Sequence, residues 1–329
     1  MITRRRFLIG VATVGARLRP TRSDAEPPPE VATLRIGMAS SVCLAPQAVA
    51  EDLLRAEGFT DVRYVEIAPG LPGAKSMSGG DVDVGMNFAA PLIIALDGGA
   101  AISVLSGVHV GCFQLIATDA VRTVKDLKGR SVSILGVGSG QHVFLSTILT
   151  QVGLDPRKDV TWVTKPPPEA KQLLAEGKID GYLGFPPDPQ ELREKKIGHV
   201  VLNSATDRPW SQYFCCMFSA NRDFAARHPV ATKRALRAVL KGDQLCALEP
   251  SRAADAVMRR GISSRKDHTE QAIREIPYGR WREYDPADTL RFYALRLHEA
   301  GMIKASPQKI LAQGTDWRFV NELKKELKG

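Results

Sequence analysis

The sequence predicts an α/β fold of two lobes. Three observations carry that reading. Strand-like and helix-like patterns alternate along the chain, which favours a layered α/β architecture with mainly parallel strands. The alternation runs as two series, the second beginning after residue 115, and beyond residue 218 the pattern turns mostly helical. The 329 residues leave room for two domains at about 150 residues each.

Taken in order, Ala32–Gly37 reads as a short strand entering a serine turn at Ser40-Ser41. Pro46–Glu57 reads as a helix with Ala48, Val49, Leu53 and Leu54 on its apolar face and Gly58 as its stop. Val62–Ile67 is a strand, Gly73–Ser78 a short helix, Val82–Met86 a buried strand, Pro91–Leu96 a helix and Ile102–Val110 a strand. In the second series Val124–Leu127 precedes a Gly129 stop, and Ser131–Leu135 is a strand. Gly136, Gly138 and Gly140 then lead into a helix from Gln141 to Val152. Val160–Val163, Ile179–Leu183, Val200–Leu202 and Gln212–Phe218 read as strands, and Glu169–Glu176 as a helix. The tail predicts helices over Pro229–Leu248, from Ser251 to Gly261, over Pro286–Ala300 and over Trp317–Leu327. Leu290, Tyr293, Ala294 and Leu297 form an i, i+3, i+4, i+7 stripe expected to face the core.

Composition excludes several classes. With 44% hydrophobic and 25% charged residues the chain is an ordinary globular one. Aromatics at 6% argue against a base-stacking surface. The formal charge is +9, but residues 1–25 hold six arginines against Asp24 and so account for more than half of it. The rest has no basic block, and no nucleic-acid partner is expected.

Residues 1–25 read as an export segment: Arg4-Arg5-Arg6-Phe7-Leu8, a short apolar stretch to Ala16, and small residues at Ser23-Asp24-Ala25. They resemble a twin-arginine signal, which implies a periplasmic protein whose mature chain begins near Glu26. The five cysteines, Cys43, Cys112, Cys215, Cys216 and Cys246, are odd in number and lack a C-x-x-C spacing, so neither a disulfide framework nor a metal site is expected. The six histidines show no H-E-x-x-H pairing, and there is no G-x-S-x-G elbow.

Several segments, in order, resemble one family: Arg35–Ser41, Gly80-Asp81-Val82-Asp83-Val84-Gly85, Val124–Val132, Gly138-Ser139-Gly140-Gln141-His142 and Gly177-Lys178-Ile179-Asp180-Gly181. The set is similar to the periplasmic substrate-binding proteins for nitrate, sulfonate and taurine, in the superfamily named after thiamine pyrimidine biosynthesis. The resemblance spans about residues 31–329. It implies the two-lobed periplasmic-binding-protein-like (type II) fold, with two crossover strands and a ligand cleft between the lobes. Lobe one would be residues 31–113 plus 218–329, lobe two residues 114–217, with crossovers near Phe113–Ala117 and Phe214–Phe218.

In open α/β sheets ligands lie outside the carboxyl ends of the strands. The strongest candidate there is Gly138–His142, a strand-to-helix turn whose free N–H groups and dipole favour an anion. Ser139, Gly140, Gln141 and His142 are the expected contacts, with Ser139 as a plain N-cap the alternative. Ser40 and Ser41 lie in the first loop, where N-capping is the alternative, and Cys43 beside them reads as a small apolar wall. Asn87, with Phe88, occupies a later loop where the family contacts ligand, again with N-capping as the alternative. Phe185-Pro186-Pro187 resembles the family's aromatic–proline turn at the cleft, or is a rigid loop. Lys165 is an anion-attracting lysine or an idle surface charge.

Cys215 and Cys216, neighbours in an extended strand, are expected to point to opposite faces, which makes Cys216 a cleft candidate. Relatives that build the thiamine pyrimidine carry a longer cysteine cluster and use iron, whereas here Met217 and Phe218 replace the further cysteines. Cys112 approaching this pair would form a redox or metal cluster, against ordinary buried thiols as the alternative.

The resemblance thus implies a monomeric solute receptor without a cofactor, not an enzyme. It would close on a small molecule, a sulfonate or other small organic anion, and deliver it to an ABC import permease. The alternative is a thiamine-pyrimidine-type biosynthetic enzyme of the same fold using Cys and His residues. A sensor subunit docking on a signalling receptor is a third reading.

Overall fold

The computed structural model describes residues 26–327. The segment read as an export signal lies outside the described residues. Ten strands are present among the described residues: β1 Thr33–Met38, β2 Asp61–Glu66, β3 Val84–Phe88, β4 Ile102–Val110, β5 Gln114–Ala117, β6 Arg130–Ile134, β7 Val160–Thr164, β8 Gly181–Gly184, β9 His199–Asn203 and β10 Phe214–Asn221. They make two five-stranded sheets, ordered β2-β1-β3-β10-β4 and β7-β6-β8-β5-β9.

The two sheets repeat one plan. β1 pairs parallel with β2 and β3, and β6 pairs parallel with β7 and β8. One reversed strand completes each: β10 runs antiparallel between β3 and β4, and β5 antiparallel between β8 and β9. Four strands of each sheet therefore share a direction, as the alternating pattern predicts. The reversed strands are the ones by which the chain enters the second sheet and re-enters the first. Central β3 is buried along its whole length, the burial expected of a strand covered on both faces. Edge strand β2 is half-exposed.

The helical tail packs back on the first sheet. Helix Pro229–Leu248 lies on Ala45–Ala48 and on Glu51–Ala56, and helix Pro286–Glu299 packs on both Ala89–Asp97 and Gly140–Gln151. The stripe Leu290, Tyr293, Ala294 and Leu297 is buried, as its spacing predicts. No described helix is long and apolar enough to cross a membrane.

The helix expected over Pro46–Glu57 is two pieces, Ala45–Ala48 and Glu51–Ala56, preceded by a single 3₁₀ turn at Val42–Leu44. The break has a local cause: the Ala50 N–H bonds the Gln47 carbonyl in a tighter turn. Gln47 itself is buried, donating from Nε2 to the Gly37 carbonyl (3.2 Å) and accepting the Met86 N–H on Oε1 (2.6 Å), and so ties β1 to β3.

Candidate functional site

Five loops at the carboxyl ends of β1, β2, β3, β6 and β8 converge where the two sheets' units meet. Against the first three of them lies a small apolar cavity with about 10 Å³ of room, with Ser41, Ile67, Pro69, Met86, Asn87 and Phe88 among its walls. Larger grooves lie on the outer surface, such as one of about 380 Å³ beside Glu51, Arg259 and Arg260. That groove sits away from the strand ends, and Arg260 is occupied by Glu51 at 2.6 Å and by the Tyr64 ring at 3.5 Å.

The turn before helix Gly140–Gln151 is built as a helix start. Ser139 is the N-cap and its Oγ accepts the His142 N–H at 3.3 Å, so the capping role that the sequence offered as the alternative is realised. Gly140 and Gln141 open the helix, where N–H groups lack intrahelical acceptors. Gln141 is fully buried, yet neither its amide oxygen nor its amide nitrogen has a hydrogen-bond partner. An unsatisfied buried amide is costly, and such groups in folded proteins call for an explanation such as a ligand or water. His142 is half-buried. Its Nδ1 accepts the Gly138 N–H at 3.2 Å, and its ring stands edge-on to Trp162 at 4.9 Å. Burial holds its pKa below the ordinary histidine value.

Across from this turn, Gly70 adopts φ +87° and lies against the Gly140 N–H, and the Leu71 N–H meets the Gly138 carbonyl at 3.4 Å. Asn87 is not an N-cap; Phe88 holds that position of the following helix. The Asn87 amide instead donates to the Gly70 carbonyl (3.0 Å) and accepts the Phe88 N–H (2.8 Å), which fixes the loop after β2. Phe88 packs on Phe113 with centroids 4.9 Å apart, and Phe185 stands 6.0 Å from Phe88 and 6.2 Å from Phe113. Pro186 is buried behind Phe185 and joined to Pro187 by a cis peptide. These rings form an apolar seam between the two units.

The structure thus brings Ser41, Asn87, Ser139, Gly140, Gln141 and Phe185 around one junction, with His142 at its edge. Ser40 stands apart: it is exposed and lines a different groove with Tyr64, Glu66 and Arg259. Ser41 is buried and lacks a capping bond; its hydroxyl meets the Cys43 thiol at 3.0 Å. Cys216 does not part from Cys215 in the way alternation predicts. The Cys215 sulfur is 2.7 Å from that of Cys112, and the Cys216 sulfur is within 4.8 Å of the same Cys112 atom. Register shifts against β4 on both sides of Cys216 break the pleat there. Lys165 pairs with Glu169 at 2.6 Å, the bland outcome for a surface lysine. Sequence reasoning passed over Gly70, Phe113 and His109. Gly70 shows no motif, and Phe113 and His109 lie in or next to an apolar strand that reads as core.

A model of the NMT1-like family matches residues 27–260. The chain belongs to the NMT1-like family. Over 183 residues it is 26% identical to the nitrate/nitrite binding protein NrtA of Nostoc sp. (strain PCC 7120), a match covering 53% of this chain and 40% of that protein. Over 199 residues it is 24% identical to the taurine-binding periplasmic protein of Escherichia coli (strain K12), covering 60% of this chain and 61% of that one. The matches thus span less than two thirds of these relatives. Among solved structures, the periplasmic nitrate-binding protein NrtA from Synechocystis PCC 6803 superposes with a TM-score of 0.74 at 16% identity, over 91% of this chain and 90% of that one. The alkanesulfonate-binding protein SsuA from Xanthomonas axonopodis pv. citri, bound to MOPS, gives 0.68 at 20% identity, over 85% and 96%. These likenesses show the two-lobed periplasmic-binding-protein fold, and the family is the one the ordered motifs resemble.

Proposed function

We propose that this member of the NMT1-like family is a periplasmic solute-binding receptor that captures a small organic anion of the sulfonate class between its two lobes. The carrying observation is the start of helix Gly140–Gln151, where the buried Gln141 amide has no partner and the Gly140 nitrogen lies against Gly70 of the other unit. A helix N-terminus favours negative charge, and the spare amide offers both a donor and an acceptor. The cavity, with about 10 Å³ of room, holds no more than a water in this closed arrangement, so the ligand enters when the lobes part. The relatives named for nitrate, taurine and alkanesulfonate support an anion.

The lobes, residues 31–113 with 218–329 and residues 114–217, close on the ligand by contacts that exist only when both are engaged. The closed receptor then delivers the ligand to an ABC import permease, with no chemical turnover. The test is a thermal-shift panel of taurine, longer alkanesulfonates, nitrate and bicarbonate, followed by calorimetry on the best ligand with Gln141→Ala and Ser139→Ala. A stabilising anion whose affinity falls in both variants supports the reading. No stabilisation by any anion, or conversion of a bound compound to a new mass, overturns it.

A further inference from the structure

We infer that the buried thiols beneath the cavity form a binding site for one thiophilic d¹⁰ cation, zinc or cuprous copper, ligated by Cys43, Cys112, Cys216 and His109. Four separate stretches of chain deliver these groups. Cys43 sits in the 3₁₀ turn after β1, His109 near the end of β4, Cys112 in the passage from β4 to β5, and Cys216 in β10, where it pairs with His109. The three sulfurs all lie within 4.8 Å of one another and all three residues are buried. Tetrahedral zinc with bonds of about 2.3 Å to sulfur holds its thiolates about 3.8 Å apart, so the cluster already stands close to ligating geometry.

His109 supplies the second, independent observation. It is buried, its Nδ1 lies 3.2 Å from the Val110 carbonyl, and its Nε2 has no partner. Donation from Nδ1–H to a carbonyl fixes the tautomer that leaves a lone pair on Nε2, which is how metal-bound histidines are commonly oriented. Tyr278 steadies both sides: its hydroxyl donates to the Cys43 carbonyl at 3.0 Å, and its ring meets that of His109 edge-on at 5.1 Å. Four buried thiols behaving as small hydrophobes would explain the sulfurs, but not a buried imidazole nitrogen left unpaired at the strand position facing Cys216. That nitrogen stands outside the mutual 4.8 Å of the three sulfurs, and ligation draws it inward. Three soft sulfurs with one imidazole select zinc or cuprous copper over hard cations. Binding exchanges three thiol protons for the ion, with the protons released to solvent and no redox change. Cys215, 2.7 Å from Cys112, is a competing sulfur.

The test uses the full chain, reduced, freed of metal and kept anaerobic, titrated with Co(II) and with Cd(II). The expected result is one ion per chain by native mass spectrometry, a sulfur-to-metal charge-transfer band for each probe, the visible d–d bands of tetrahedral cobalt, and displacement of cobalt by zinc. Cys216→Ser and His109→Asn should each weaken cadmium binding by about ten-fold or more, whereas Cys246→Ser, at a buried cysteine outside the cluster, should leave it unchanged. Should the cluster variants fail to fold, stoichiometry and spectra of the unaltered protein decide. Sub-stoichiometric binding, octahedral cobalt spectra, or a mass two hydrogens light from a Cys112–Cys215 disulfide that persists in the exported protein would each overturn the proposal.

Discussion

The ring of Phe88 occupies the space that a Cβ on Gly140 would need, with its Cδ2 2.3 Å from that position. The two residues belong to different sheets' units, so the contact measures how closely the units approach. Gly140→Ala is therefore expected to hold the units apart rather than to unfold either. Overpacking of this kind costs about 1–3 kcal/mol. Small-angle scattering should show a larger radius of gyration for Gly140→Ala, and Phe88→Ala in the same chain should restore the smaller one. An unchanged radius in Gly140→Ala would show that the turn yields instead.

Gln141 makes a prediction of opposite signs. Its buried amide is unpaired on both atoms, and an unsatisfied buried polar group costs about 1–3 kcal/mol. Gln141→Leu should raise the melting temperature of the ligand-free protein while lowering its affinity for the anion that the panel selects. Calorimetry and thermal melts on the same samples check both signs. A variant that loses stability and keeps its affinity contradicts the role given to this side chain.

His142 gives a pH dependence. Burial depresses its pKa in the folded state, and its Nδ1 accepts a hydrogen bond that a protonated ring cannot accept. The unfolded chain therefore binds the proton more readily. The contribution of this group is fully present above its ordinary pKa and is lost as pH falls toward the lower folded value. Melts taken between about pH 8 and pH 5 should fall less steeply for His142→Phe than for the unaltered protein.

A polar latch joins the two units on their other side. Arg193 donates to both oxygens of Glu275 at 2.7 Å, and Gln190 donates to the same carboxylate at 2.9 Å. Helix Asp188–Glu194 carries Arg193 and Gln190, and helix Lys266–Glu275 rests on the turn after β1. The pair is partly solvated, so Glu275→Ala should cost about 0.5–1 kcal/mol. The loss should appear as weaker ligand binding that shrinks further from wild type at low salt, where the pair counts most. Equal loss at all salt concentrations would mean the effect comes from packing.

Much of the frame was legible because apolar periodicity and burial agree. Strand Ile102–Val110 and helix Pro229–Leu248 have the bounds that their patterns predict. Helix Lys266–Glu275 was missed because the face it buries is His268, Thr269, Ala272 and Ile273, half of it polar in type. Gln47 misleads for the same reason: a polar residue in the core looks like a solvent face until its two backbone partners are known. At the site, the Gly138–His142 turn announced itself through glycine spacing. Gly70 and His109 did not, because their roles depend on residues 70 and 107 positions away in the chain, Gly140 and Cys216, which one-dimensional patterns do not bring together.

The placement of β10 also sets an order of events during synthesis. Strands β5 to β9 are contiguous, from residue 114 to residue 203, so the second sheet is complete once that stretch has left the ribosome. The first sheet must wait: β3 and β4 are neighbours only through β10, which arrives more than a hundred residues after β4. The earliest-made unit is thus the last to be closed, and in the interval β3 and β4 each present a bare, apolar edge. A nascent chain stalled before Phe214 would be a folded second unit tethered to an unfinished first one, and it is in that state, rather than in the finished protein, that a chaperone has most to hold.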